Sequence, residues 1–221
     1  MGYTSAEDVE RQHAPAVLAN EVLVEHRWGR PCLAYNACIR PDRAAVAALS
    51  AIQDSVLRLE PSLLRVPGRA LHASVTWLLP VHQEFGRPKD ELWRQHGTSW
   101  MAVLAEAASR TGQFRLRYRR LLATNSAIIA VAEEPNAVSA LRRELKPCLR
   151  VPGGHSAGAL VHTTLFRYAR PLGAPASLTR WLGSTTIRAE TCVSEFLVVR
   201  ETVFPSLEYE ILHRLPLPPS A

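Results

Sequence analysis

His72-Ala73-Ser74 and His162-Thr163-Thr164 are two copies of one small arrangement: an imidazole, a spacer and a hydroxyl, each followed by an apolar residue, Val75 or Leu165. On a β-strand, residues i and i+2 project from the same face. Each copy would then present its imidazole and its hydroxyl side by side. Histidine exchanges a proton near neutral pH, its ordinary pKa being about 6.5. Two imidazoles facing each other suit the cleavage of a phosphodiester. One activates the nucleophile as a base, and the other protonates the leaving oxygen as an acid. The hydroxyls of Ser74 and Thr164 can donate to the non-bridging phosphate oxygens, where charge must be held. This chemistry needs no metal and no cofactor, and the sequence has no C-x-x-C pair or carboxylate-rich metal motif.

A lone His-x-Ser among eight histidines would carry little weight. His96-Gly97-Thr98-Ser99 is such a decoy, in a polar helical stretch where i and i+2 do not share a face. The two candidate copies differ from it in context. Each follows the same pentapeptide, Leu-Arg-Val-Pro-Gly, at Leu64–Gly68 and again at Leu149–Gly153. The second copy is longer between pentapeptide and histidine, through the glycine-rich run GGHSAGALV; His155 in that run is expected outside the pair, like His96. Upstream, AAVAALSAIQ and NAVSALRREL share an Ala-Val-x-Ala-Leu core.

The elements that must position these residues follow from pattern. PCLAYNACI, Pro31 to Ile39, predicts a buried strand, and Pro41 to Leu59 an amphipathic helix with Val46, Leu49, Ile52, Val56 and Leu59 on one face. Pro61 ends it, SLLRVPG gives a short extended piece and turn, and ALHASVTWLL a strand. A second helix covers about Asp90 to Ser109. Alternation from Gly112 predicts a strand with Phe114, Leu116 and Tyr118 inward and arginines outward. Then come a strand over Ser126–Ala132, a helix opening at Pro135, the strand ALVHTTLFRYA, a short helix near Ala176–Leu182, and the strands CVSEFLVVRETV and LEYEILHRLPL. In both halves a strand, a helix and the pentapeptide lead into the histidine strand. Strands interleaved with helices in a repeat predict an α+β fold of two lobes related by an approximate two-fold axis. Residues 1–30 are expected to form a short helix and an N-terminal arm, and residues 31–221 one bilobal unit.

With 221 residues, 47% of them apolar, the chain can bury a sizeable core. The net charge of +6 comes almost wholly from arginine, which favours anionic ligands. No apolar run approaches the roughly 18 residues that would span a bilayer. The N-terminus lacks a basic-then-apolar signal pattern, so a cytoplasmic protein without membrane partners is expected. Four cysteines without metal or disulfide spacing are expected to be buried small hydrophobes.

The motifs HASV and HTTL resemble those of the two-histidine (2H) phosphoesterase superfamily, which includes RNA 2',3'-cyclic phosphodiesterases and the bacterial 2'-5' RNA ligase group. HTTLFR is similar to the family's H-x-T-L-x-R form, and the tail SEFLVVRETVFPSLEYEILHRLPL resembles its closing strands. The resemblance implies antiparallel sheets lining a central cleft with helices outside. It makes His72 and His162 the catalytic pair and Ser74 and Thr164 the phosphate-binding hydroxyls. It maps a basic binding residue onto Arg167 and the tyrosine of the last strand onto Tyr209. Ser74 stands where the family more often has threonine, and VTWLLP replaces a glycine-containing continuation.

The expected reaction is hydrolysis of a nucleoside or RNA-end 2',3'-cyclic phosphate. The alternatives are a non-catalytic RNA- or nucleotide-binding protein, or the same chemistry on a small cyclic sugar phosphate or a 2'-5' linked oligonucleotide. On an ideal strand Arg167 would point away from His162, reaching the cleft only at a bulge or strand end, and Trp77 would face the core. Arg115, Arg117, Arg119 and Arg120 form a ridge that is either a solvated face or a path for an RNA backbone.

Overall fold

Local capping explains where the helices begin. In the computed structural model, which describes residues 5–133, 136–152 and 160–220, helix α1 (Ala6–Leu18) starts where the Ser5 hydroxyl accepts from the Asp8 N–H at 3.1 Å. Helix α2 (Arg43–Leu59) starts where Asp42 accepts from Ala45 N at 2.9 Å, and it stops at Glu60, the residue before Pro61. Its buried stripe is Ala45, Leu49, Gln53 and Val56. Helix α3 (Lys89–Arg110) follows Pro88, with Asp90 and Glu91 in its first turn. Helix α4 (Ala137–Cys148) is capped by Asn136, and the short α5 (Pro175–Ser184) has proline at its start. The expected opening of α4 at Pro135 falls outside the described residues.

The strands are β1 (Pro31–Ile39), β2 (Leu63–Arg65), β3 (Ala73–Leu79), β4 (Phe114–Ala123), β5 (Ile128–Ala132), β6 (His162–Tyr168), β7 (Ala189–Val193), β8 (Glu195–Val203) and β9 (Glu208–Pro216). Among the described residues they form one curled antiparallel sheet in the order β7-β4-β5-β6-β3-β1-β8-β9, with β2 paired to β6. The order mirrors itself about the junction of β6 with β3. On one side β1, α2 and β3 follow in sequence; on the other, β5, α4 and β6 do. The fold is therefore α+β and two-lobed.

One strand of the sequence reading divides in two. CVSEFLVVRETV is not continuous: β7 pairs with β4 in one lobe, and after Ser194 β8 pairs with β1 in the other. Val193 and Phe196 are both buried, so the apolar run continues through the crossing without a turn signal to mark it. The cysteines divide as well. Cys38 is buried and Cys32 half-buried, whereas Cys148 and Cys192 are exposed, contrary to expectation.

Candidate functional site

The two lobes meet at a narrow seam. The ladder between β3 and β6 consists of the single pair Ala73↔Thr163, both fully buried. In that antiparallel register, His72 lies opposite Thr164 and Ser74 opposite His162. The four side chains project from the other face and line one cleft of about 490 Å³. Each imidazole is oriented in the same way. His72 Nδ1 lies 2.9 Å from the carbonyl of Ala70, and His162 Nδ1 lies 3.3 Å from that of Leu160. A carbonyl can only accept, so Nδ1 carries the hydrogen and Nε2 of each neutral ring remains the basic nitrogen. Ser74 Oγ accepts from Asn36 Nδ2 at 3.2 Å and from Trp77 Nε1 at 3.0 Å. Both bonds use its lone pairs, which leaves its own hydrogen to donate elsewhere.

Beyond the motifs, both histidine strands slip register by one residue at the same offset. On β3 the pairing skips Val75, with Ala37↔Thr76 followed by Cys38↔Ser74; on β6 it skips Leu165, with Ile128↔Phe166 followed by Ile129↔Thr164. An extra residue in one strand reverses the facing of everything after it. Thr76 and Phe166 stay buried, while Trp77 and Arg167 turn to the cleft. The bulge thus supplies the condition under which Arg167 could reach the cleft, and the same geometry corrects the expectation for Trp77. That indole is 36% exposed and lines the cleft instead of the core.

A bulge frees carbonyls that the ladder would have used, and a side chain from each lobe caps the other lobe's bulge. Gln53, on α2 and fully buried, donates to Leu165 O at 2.9 Å and to Val66 O at 2.8 Å. Arg142, on α4, donates to Val75 O at 3.0 Å, Ser74 O at 2.6 Å and Leu160 O at 3.1 Å. These cross-lobe clamps hold the strands where the ladder is thinnest, and Leu160 is also the residue that orients His162. Nothing in the sequence marks either residue as special.

Electrostatics act strongly on His162. Burial pushes the His162 pKa down from 6.5 to about 4, helped by the charges of Arg142, Arg167 and His72 and opposed by its bond to Leu160. At neutral pH this ring is uncharged. Two buried atoms of cleft residues, Asn36 Oδ1 and Arg167 Nε, have no hydrogen-bond partner among the described residues. Arg167 is otherwise held by Ser126 O at 3.2 Å and by the face of Phe204, 5.8 Å away.

Two further histidines that sequence reasoning did not single out also line the cleft. His13 comes from α1, and His82 lies after β3, bonded to Arg27 and edge-on to Phe204. Burial lowers the pKa of both. Neither sits in a repeated motif, so nothing in their local sequence distinguishes them. Among the described residues no group of three or more His, Cys, Asp or Glu side chains could hold a metal ion.

The remaining candidates fall elsewhere. Tyr209 does not line the main cleft. Its hydroxyl donates to Arg69 O at 3.3 Å, and its ring lies 5.1 Å from the Arg40 guanidinium in an adjoining notch. His96 stacks on Trp100 within α3, away from the cleft, and His155 lies outside the described residues. The arginine ridge is paired. Arg115 and Arg117 share Glu190, Arg119 faces Glu133 at 3.8 Å, and Arg120 binds Glu7 and Glu10 of α1. Its charges are compensated within the molecule, which favours the solvated-face reading over an RNA path.

No family model and no curated protein matches the chain. Solved structures do share its fold. TT0787 of Thermus thermophilus is similar with a TM-score of 0.64 at 21% identity, over 85% of this chain and 100% of that one. Apo LigT of E. coli gives 0.59 at 14% identity, over 85% and 98%. A structure described as a phosphoesterase gives 0.58 at 14% identity, over 84% and 99%. The chain thus has the α+β fold of LigT and its structural relatives. No helix among the described residues is long and apolar enough to cross a membrane.

Proposed function

We propose that this protein is a metal-independent phosphoesterase of the 2H type that hydrolyses a cyclic phosphodiester, a nucleoside or RNA-end 2',3'-cyclic phosphate. The observation that carries the reading is the paired site. Two histidines at mirrored positions of the seam, each with Nδ1 tied to a backbone carbonyl, share one cleft with two hydroxyls and Arg167. A binding protein has no need of two imidazoles oriented in this matched way. LigT structures have been obtained with 3'-AMP and with ATP, which supports a nucleotide as the ligand class.

His162, uncharged at neutral pH, is the base. Water attacks phosphorus and gives its proton to His162 Nε2. The bond from phosphorus to one ribose oxygen breaks on the opposite side, and His72 Nε2–H protonates that oxygen. Ser74, Thr164 and Arg167 donate to the non-bridging oxygens as charge builds. The product is a ribose phosphomonoester with one free hydroxyl.

The test is hydrolysis of a panel of nucleoside 2',3'-cyclic phosphates in the presence of EDTA. Turnover is expected to survive the chelator, and His72→Ala and His162→Ala are each expected to lose on the order of 10²-fold or more. The double variant should lose far less than the product of the two single losses, because the pair acts as a unit. A folded His72→Ala protein with near-normal turnover would overturn the mechanism.

A further inference from the structure

The notch beside His72 is lined by Cys38, Arg40, Arg69, Ala70, Val199, Ser206 and Tyr209 around that histidine, and it meets the main cleft at Ala70, His72 and Ser206. It touches none of His162, Ser74 and Thr164, so it lies on the flank of His72 away from the second motif. Two cations stand there. Arg40 is half-buried over the Tyr209 ring, with a pKa lowered by that burial, and Arg69 is exposed. Among the described residues neither guanidinium has a carboxylate partner. Elsewhere among the described residues Arg65, Arg110, Arg115, Arg117, Arg120 and Arg200 do, and arginines that do not, such as Arg43, Arg180 and Arg188, are exposed, whereas Arg40 is half-buried. A half-buried arginine without an anion, beside a second one and next to a phosphate cleft, is matched to an anionic ligand.

The polarity of the proposed reaction says which anion. If His72 protonates the leaving ribose oxygen, the sugar lies on the His72 side of the phosphorus. From that sugar the 5'-oxygen leads to the next phosphate, away from the reacting group and towards Arg40 and Arg69. We propose that these two arginines, with Tyr209 holding Arg40 in place, form a subsite for the phosphate 5' of the terminal nucleoside. The substrate is then the 3' end of an oligoribonucleotide and not a free mononucleotide. The inference rests on the assignment of His72 as the acid.

The experiment reads binding and catalysis separately. Affinities for adenosine 3'-monophosphate and adenosine 3',5'-bisphosphate are measured by calorimetry on the wild-type protein, Arg40→Ala, Arg69→Ala and the double variant. The wild type is expected to prefer the bisphosphate by about tenfold, the scale of one charge-assisted contact at a partly exposed site. That preference should fall towards one in the double variant and part of the way in each single variant. Arg69→Ala, at an exposed position, provides the reading even if Arg40→Ala does not fold. Equal affinity of the wild type for both ligands, or a preference that survives both substitutions, overturns the subsite. Turnover of adenosine 2',3'-cyclic phosphate is measured in parallel on the wild type. Its absence would overturn the hydrolytic reading, while the affinity ratio would still decide the subsite.

Discussion

An imidazole that stays neutral well below pH 6 is a base available over a wide range, and that is the condition of His162. Its pKa of about 4, set chiefly by burial, means that the free protein keeps the base competent until the pH approaches that value. General acid catalysis also requires a protonated group, so kcat/KM is expected to fall on the alkaline side as well. The expected profile of kcat/KM is a bell whose acid limb lies well below the ordinary histidine value, with limbs belonging to the coupled pair. An acid limb at about 6.5 or above would assign the base elsewhere. Ser74 makes a second test at the same scale. Trp77 and Asn36 both donate to its oxygen. Trp77→Phe removes one of these bonds while keeping an aromatic wall, and should lower kcat by a modest factor, on the order of 2- to 10-fold. Ser74→Ala removes the phosphate donor itself and should cost more. Equal losses in the two variants would mean that Trp77 has a role beyond orienting the hydroxyl.

The histidines and hydroxyls were legible from the sequence because strand geometry pairs i with i+2 and the pentapeptide repeats. Trp77 and Arg167 were not, or only conditionally, because a bulge has no signature in a continuous apolar strand. Val75 and Leu165 are ordinary strand residues, yet the register slips there decide which way Trp77 and Arg167 point. The clamps were hidden for a related reason. Gln53 and Arg142 belong to helices whose patterns are satisfied without them, and their partners are carbonyls, which sequence does not describe. Their consequence can be measured. Gln53→Ala leaves the Val66 carbonyl and the Arg65 Nε donor without this partner, while Leu165 O keeps the Val66 N–H at 3.0 Å. An unsatisfied buried carbonyl costs about 1–3 kcal/mol, so the variant should be destabilised by about that much in denaturant unfolding. Gln53→Glu keeps the volume but loses the donor and should be no better. A loss below about 0.5 kcal/mol would show that the seam does not depend on this clamp.

At the scale of the whole molecule, the first helix is tied to the second lobe in two different ways. Arg120 on β4 pairs with Glu7 and Glu10 across the surface, and Val9 packs into a small apolar cluster with Leu122, Ala127, Ile129, Val131 and Leu160. The ion pairs are solvent-exposed, where such contacts contribute about 0–1 kcal/mol and weaken with salt. Val9 is 3% exposed, and truncating a buried valine removes apolar area and leaves a void. Packing should therefore dominate. Val9→Ala is expected to destabilise the protein by about 1–3 kcal/mol in denaturant unfolding, and Glu7→Gln with Glu10→Gln together to cost clearly less than Val9→Ala. Because Val9 and His13 also line the cleft, loosening α1 should raise KM for the cyclic phosphate more than it lowers kcat. The reverse pattern, with the charge variants the more damaging and KM unmoved by Val9→Ala, would mean that α1 is held by its surface charges and stands apart from the cleft.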